Sequence, residues 1–257
     1  MKVVILCGGL GTRLSEETIL KPKPMVTIGQ HPILWHIMSI YASHGFKDFV
    51  LALGYKGEEI KSYFLNYNNL NSNLKVNLAS GNTQFLSFPK VDWNVELVDT
   101  GQNSMTGGRL HRLEPYLKDQ KTFMLTYGDG VANVDISELL KFHRSHGKLA
   151  TVTSVRPPAR FGTMSFDDDF SVLSFREKKQ TDSGWINGGF FVFEQDFFKY
   201  LDGDHTILEG NPMEGLTRDR QLMGYQHEGF WQCMDTIRDR QYLEDLWANG
   251  NADWKCW

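Results

Sequence analysis

The stretch Val3-Val4-Ile5-Leu6-Cys7-Gly8-Gly9-Leu10-Gly11-Thr12-Arg13-Leu14 joins an apolar run to a glycine-rich loop. Val3 to Cys7 is short, uninterrupted and rich in β-branched residues. It predicts a strand buried on both faces, as in a parallel sheet. The glycines let the backbone approach a ligand closely, with N–H groups turned inward. A loop after the first strand of an α/β sheet lies at the carboxyl edge, where ligands bind. Two phosphate motifs are excluded. The P-loop needs Gly-Lys followed by Ser or Thr, and the dinucleotide fingerprint needs a third glycine where Leu14 stands. The loop carries Arg13 instead, and Lys21-Pro22-Lys23-Pro24 follows, with two prolines that limit where the lysines point. A glycine cluster alone reads equally as a tight turn with solvated cations; Arg13 and Lys23 shift the reading to a bound phosphate.

Outward from this loop, strands and helices alternate. Pro32 suits a first helical position, and Ile33, Leu34, Ile37, Met38 and Tyr41 follow at helical spacing, with Gly45 as the C-terminal cap. Strands are expected at Phe49–Leu53, Leu74–Ala79, Val95–Val98, Phe123–Thr126, Ala150–Val155 and Gly188–Phe193. Helices are expected at Glu58–Leu65, Gly108–Leu117, Ile136–His146 and Arg238–Trp247. From Phe161 to Phe175 the pattern turns to short strands around the acidic surface turn Asp167-Asp168-Asp169. This predicts an α/β fold with a mostly parallel sheet flanked by helices and a small β-rich and helical C-terminal addition. Residues 1–257 are expected to form one domain, with 1–155 as the ligand-binding core and 156–257 as the added part.

The 257 residues carry a net charge of −4, are 41% hydrophobic and 23% charged, and suffice for a sizeable core. An anionic ligand must then be held by a local cluster of cations, not by the global field. No long Lys/Arg run is present, which argues against a nucleic-acid partner. The start of the chain does not read as a signal peptide, and no segment approaches the roughly 20 apolar residues of a membrane span. Cys7, Cys233 and Cys256 are far apart, form no C-x-x-C pair, and fit reduced thiols in a cytoplasm. Trp231, Trp247, Trp254 and Trp257 allow stacking on a sugar, but most of them read as core or subunit packing. His36, His44, His143 and His146 read as structural, because no metal spacing links them.

Asp129 ends a predicted strand between two glycines, so its carboxylate projects toward the same edge as the loop. It reads either as a ligand for Mg²⁺, which takes hard oxygens and one or two carboxylates, or as a turn aspartate.

Leu6 to Leu14 followed by Lys21-Pro22-Lys23-Pro24-Met25 resembles the signature of the sugar-nucleotide pyrophosphorylases (sugar nucleotidyltransferases). Val98-Asp99-Thr100-Gly101, Met105-Thr106-Gly107-Gly108-Arg109-Leu110, Thr126-Tyr127-Gly128-Asp129-Gly130-Val131 and Met234-Asp235-Thr236 are similar to the cytidylyl branch of that family. The resemblance runs essentially end to end. It implies a Rossmann-like nucleotidyltransferase fold, Mg²⁺ dependence, a homo-oligomer (a hexamer), and a part over residues 156–257 that serves sugar phosphate and oligomerisation. The implied reaction is CTP plus α-D-glucose 1-phosphate giving CDP-glucose and pyrophosphate, which in the family feeds the 3,6-dideoxyhexoses of bacterial O-antigens.

The resemblance also implies roles. Asp129 and Asp235 would hold the metal, with Asp235 open to a competing reading as a helix cap ahead of Arg238-Asp239. Arg13 would grip the departing pyrophosphate and Lys23 would neutralise charge near the α-phosphate. Leu6, Cys7, Gly8, Gly11, Thr12, Ser104, Arg109 and Gly128 would complete the nucleotide pocket, with Arg109 open to reading as a solvated helix residue. Glu177, Lys178, Asn187 and Gly188 would take the sugar phosphate, with Glu177-Lys178 open to reading as a charged turn. Lys179, Asn211 and Cys7 depart from the family pattern. Another base or sugar, and a non-catalytic nucleotide-sugar-binding subunit, remain the competing readings.

Overall fold

The computed structural model describes residues 1–9, 11, 14–157, 163–167, 169, 171–176 and 184–257. Seven strands form the main sheet: β1 (Lys2–Leu6), β2 (Asp48–Leu53), β3 (Asn94–Asp99), β4 (Thr122–Tyr127), β5 (Ala150–Val155), β6 (Ile186–Glu194) and β7 (Leu222–His227). Their order is β7-β5-β6-β4-β1-β2-β3. β6 pairs antiparallel with both its neighbours, and every other pairing is parallel, so the sheet is mostly parallel as the alternating pattern predicts. β6 and β7 come from beyond residue 156 yet belong to this same sheet.

Six helices matter for the site or the core: α1 (Ile33–Ser43), α2 (Gly57–Leu65), α3 (Thr106–Arg112), α4 (Ile136–His146), α5 (Asn211–Arg218) and α6 (Ile237–Ala248). β1 is buried on both faces because a helical layer covers each one. Val3 and Ile5 join the cluster built with α1, α2, α4 and α6. Val4 and Leu6, one residue out of phase, join the cluster with α3, α5 and the 3₁₀ turn Gln195–Tyr200. Trp254 is fully buried and stacks on Phe230, while Trp247 meets His36 edge-on. His36 and His143 are buried and hydrogen-bonded, in keeping with a structural role. All three cysteines are free.

Some expectations need correction. Gly45 does follow the end of α1 at φ +87°, and its N–H donates to the Ala42 carbonyl at 2.9 Å. Pro32, however, is the N-cap of α1 and not its first helical residue. The helix expected over Gly108–Leu117 is two pieces, α3 and Glu114–Leu117, because Pro115 has no N–H to continue the ladder. The strand expected at Leu74–Ala79 shortens to Leu74–Val76 and pairs only with Thr83–Phe85, apart from the main sheet. The sequence reading had no counterpart for α5 or β7. Among the described residues no helix is long and apolar enough to cross a membrane.

The order of strands fixes where a ligand can sit. From β1 the chain builds outward through β2 and β3, then returns to β4 on the other side of β1. The loops after β1 and β4 therefore diverge at a topological switch point, where an open α/β sheet leaves a crevice. Those loops begin at Cys7-Gly8 and Gly128-Asp129. The strand ends stay laced together, with Gly128 N–H donating to the Leu6 carbonyl at 3.1 Å. A Cβ at Gly128 would stand 2.8 Å from that same oxygen, so the position requires glycine.

Candidate active site

A cavity of about 630 Å³ opens at the switch point. Of the residues expected around a nucleotide, Leu6, Cys7, Gly8, Gly11, Lys23, Ser104, Arg109 and Gly128 all line it. Thr12 and Arg13 lie outside the described residues.

Lys23 reaches in from a short 3₁₀ turn, Lys23–Met25, that Pro22 caps. Lys21 turns away and lies 3.9 Å from Glu17. The Lys23 Nζ donates to Asp129 Oδ2 at 2.7 Å and to Asp235 Oδ1 at 2.5 Å. The two aspartates meet because Gly130–Ala132 pairs antiparallel with Trp231–Cys233, matching Gly130 with Cys233. The Met234 N–H then donates to the Asp129 carbonyl at 2.8 Å. Burial works against the Lys23 charge, but Asp129 and Asp235 more than offset it and hold the ammonium above the ordinary lysine range.

Asp235 is not the cap of α6. Thr236 is, with Asp239 closing the capping box, and the Asp235 backbone N–H donates to Asp239 Oδ2 at 3.2 Å. The carboxylates of Asp129 and Asp235 thus converge on one cation position, occupied by Lys23 Nζ. Among the described residues no group of three or more His, Cys, Asp or Glu is assembled for a metal. Two hard carboxylates and no nitrogen or sulfur cage suit Mg²⁺ and not a structural zinc.

Neither nearby thiol is poised as a nucleophile. Burial first, then the Asp129 charge, pushes Cys7 far above the usual thiol range. Burial, with Asp235 and Asp129 behind it, raises Cys233 to about 12.

Arg109 is not a solvated helix residue, since only 5% of it is exposed. Its Nη1 donates to the carbonyls of Leu53 at 3.1 Å and Gly101 at 2.7 Å, and to Thr100 Oγ1 at 3.0 Å. Its Nη2 donates to the carbonyls of Gly8 at 2.9 Å and Gln102 at 3.1 Å. The guanidinium thus fastens the glycine loop to the end of β2 and the turn after β3. It fits so tightly under that loop that a Cβ at Gly8 would stand 2.2 Å from its central carbon.

A second cavity of about 320 Å³ lies toward β6 and shares Tyr127 and Asp129 with the first. Asn187 and Gly188, expected at the sugar phosphate, line it, together with Trp231 and Asp235. Glu177 and Lys178 lie outside the described residues. The register of β6 against β5 shifts between Val152 and Ser154. Beside the shift, Gly189 has φ +76° and Phe190, a bulky residue, has φ +49°. A backbone held in this region away from glycine is strained, and such strain concentrates at functional sites. The bend turns the Gly188 carbonyl to accept from Trp231 Nε1 at 2.8 Å. From the sequence, Tyr127 falls within a motif stretch without a role of its own, and Trp231 reads mainly as packing. Tyr127 is the residue before the Gly128-Asp129 turn, a position that marks it as facing the crevice. The only signal for Trp231 is its nearness to Asp235.

Comparison with known proteins shows the family and the fold. A family model described as nucleotidyl transferase matches residues 2–232. The glucose-1-phosphate cytidylyltransferase of Salmonella typhi is 52% identical over 257 residues, covering all of both chains. The catalytic subunit beta of the mannose-1-phosphate guanylyltransferase of Dictyostelium discoideum is 29% identical over 96% of this chain and 64% of its own. The solved structure of HddC from Yersinia pseudotuberculosis complexed with GMP-PN superposes with a TM-score of 0.67 at 22% identity, covering 96% of this chain and 99% of that one. At that identity the likeness speaks for the fold.

Proposed function

The chain belongs to the nucleotidyl transferase family, and from that premise we propose that it transfers CMP from CTP to α-D-glucose 1-phosphate, giving CDP-glucose and pyrophosphate. The observation that carries this reading is the 52% identity, end to end, with a glucose-1-phosphate cytidylyltransferase. The geometry supports it: two adjoining cavities share Asp129 and Tyr127, as two substrates that react with each other require.

The nucleophile is a phosphate oxygen of the sugar 1-phosphate. With a second pKa of about 6, a phosphate monoester is largely dianionic at neutral pH and needs no general base. It forms a bond to the α-phosphorus of CTP as the bond to the β-phosphate bridging oxygen breaks, and pyrophosphate leaves. The obstacle is repulsion between two anions, so catalysis consists of neutralising charge and aligning the partners. Lys23 supplies the positive charge at the seam between the cavities. The backbone of Leu6 to Gly8, with Gly11, Thr12, Ser104 and Gly128, is assigned to the nucleotide. Arg109 holds the loop that holds it. Arg13 takes the departing pyrophosphate. Asn187 and Gly188, with Glu177 and Lys178, orient the sugar phosphate. Asp129 and Asp235 would hold Mg²⁺, which when bound withdraws charge from the phosphate oxygens. By the same resemblance the chain works in the cytoplasm as a homo-oligomer, a hexamer, in O-antigen sugar synthesis.

An omission assay tests the reading. Pyrophosphate is expected only when CTP, glucose 1-phosphate and Mg²⁺ are all present. Tight CTP binding without any pyrophosphate would support a non-catalytic subunit and refute the proposal. Free CDP among the products would refute it in favour of glycosyl transfer.

A further inference from the structure

Glu209, which no motif singled out, sits at the centre of a hydrogen-bonded chain between the two cavities. Its Oε1 accepts from the Tyr127 hydroxyl at 2.5 Å, and its Oε2 accepts from Thr106 Oγ1 at 2.8 Å. Thr106 opens α3 and lines the larger cavity. Tyr127 lines both cavities. Its hydroxyl in turn accepts from Asn187 Nδ2 at 3.0 Å, in the smaller cavity. The other end of that amide, Asn187 Oδ1, accepts from the Gly189 N–H at 2.9 Å. The chain of contacts therefore runs without a gap from the start of α3 to the strained bend of β6.

The Glu209 segment is itself fixed. Met105 N–H donates to the Asp204 carbonyl at 2.9 Å, and Gly108 N–H donates to the Thr206 carbonyl at 3.0 Å. A Cβ at Gly108 would stand 2.2 Å from the Asp204 oxygen, so the paired glycines of α3 exist to let this segment lie against the helix. The Leu208 N–H donates to Thr106 Oγ1 at 2.9 Å, which leaves the hydroxyl proton for Glu209. An anionic acceptor at Glu209 also decides the direction of every bond beyond it. It makes the Tyr127 hydroxyl a donor toward Glu209 and therefore an acceptor toward Asn187. Burial, followed by the Glu209 charge, holds the Tyr127 phenol protonated, well above the usual range.

We propose that Glu209 is a positioning residue that couples the two substrate cavities, setting Thr106 on the nucleotide side and, through Tyr127, Asn187 on the sugar-phosphate side. The inference rests on the proposed function for the identity of the two substrates. Without Glu209 the Tyr127 hydroxyl can rotate, the Asn187 amide loses its oriented partner, and the Thr106 hydroxyl is released.

The test is a set of KM values for both substrates in the full-length protein with Mg²⁺, alongside thermal unfolding of each variant. Glu209→Ala is expected to raise both KM values about tenfold, the loss of roughly one oriented hydrogen bond on each side. Tyr127→Phe is expected to raise the KM for glucose 1-phosphate alone, and Thr106→Val the KM for CTP alone. Glu209→Gln keeps an acceptor for Tyr127 and a polar partner for Thr106, and is expected to restore both KM values to within about threefold. A Glu209→Ala protein with both KM values unchanged overturns the coupling. A fall in kcat and melting temperature at unchanged KM overturns it as well, since a merely structural carboxylate would act that way. A wild-type chain inert toward CTP and glucose 1-phosphate overturns the proposed function and the coupling together, whereas an active wild type whose variants show no KM split overturns the coupling alone.

Discussion

Replacing Lys23 with methionine removes the ammonium while keeping a chain of similar length and apolar volume. In the fold that ammonium lies 2.7 Å from Asp129 and 2.5 Å from Asp235, and the Lys23 side chain is only 12% exposed. The carboxylates are 32% and 19% exposed, so water screens part of each attraction. With that discount each contact is worth roughly 1–1.5 kcal/mol, or about 2–3 kcal/mol for the two. A divalent cation entering between the carboxylates of the wild type must first displace these contacts. In Lys23→Met it does not. At about 1.4 kcal/mol per factor of ten, binding should tighten roughly 30- to 150-fold. The assay is titration of the nucleotide-free protein with Mn²⁺, followed by electron paramagnetic resonance of the free ion and by calorimetry. Turnover should move the opposite way, falling about 100- to 1,000-fold, because the positive charge at the seam is gone. Mn²⁺ affinity that is unchanged or weaker in Lys23→Met would refute the reasoning, since Asp129 and Asp235 would then not be a cation site for which Lys23 competes.

Two further outcomes follow from the packing. Arg109→Lys keeps a charge but loses the fork that reaches Gly8, Leu53 and Gly101 together, and should destabilise the fold by about 2–4 kcal/mol; a denaturant midpoint equal to wild type would contradict the bracing role. Burial, opposed in part by the bond to the Ile28 carbonyl, lowers His36 to about 4 from an ordinary value of 6.5. Its ring stays neutral, with Nε2 2.9 Å from the Ile28 carbonyl and Nδ1 3.4 Å from Trp254 Nε1, so an added proton would set one N–H against another. Between those two values the unfolded chain binds more protons than the native one, so stability is full above about pH 6.5 and is lost as the pH falls toward 4. The loss from this group between pH 7 and 5 is about 2 kcal/mol. Urea unfolding across that range should show a shallower slope in His36→Asn, and an unchanged slope would contradict the assignment.

Much of the fold is legible in local pattern. The β-branched run of β1, the helical spacing of α1 and the glycine after it each depend on neighbours within a few residues. What local pattern misses or leaves open depends on distant partners. β7 is a half-exposed strand with Gly224 at its middle, and it becomes a strand only by pairing with β5. Lys23 reads as one of two similar lysines, and its partners lie 106 and 212 residues away. Asp235 is a metal candidate through the resemblance, with a helix cap as the competing local reading, and only the structure shows Thr236 in the cap position. Arg109 sits on a short helix whose charges suggest solvent, and only the assembled sheet brings five backbone and hydroxyl oxygens around it. Glu209 carries no motif at all; its meaning comes from Thr106 and Tyr127, which two separate elements deliver to it.

The most direct measurement is a matrix of kcat/KM values for CTP, UTP, dTTP and GTP, each paired with glucose 1-phosphate and with mannose 1-phosphate, read by pyrophosphate release with the product identified by mass. CTP with glucose 1-phosphate is expected to exceed every other pair and to yield CDP-glucose. Release with UTP or dTTP but none with CTP would contradict the cytidylyl assignment.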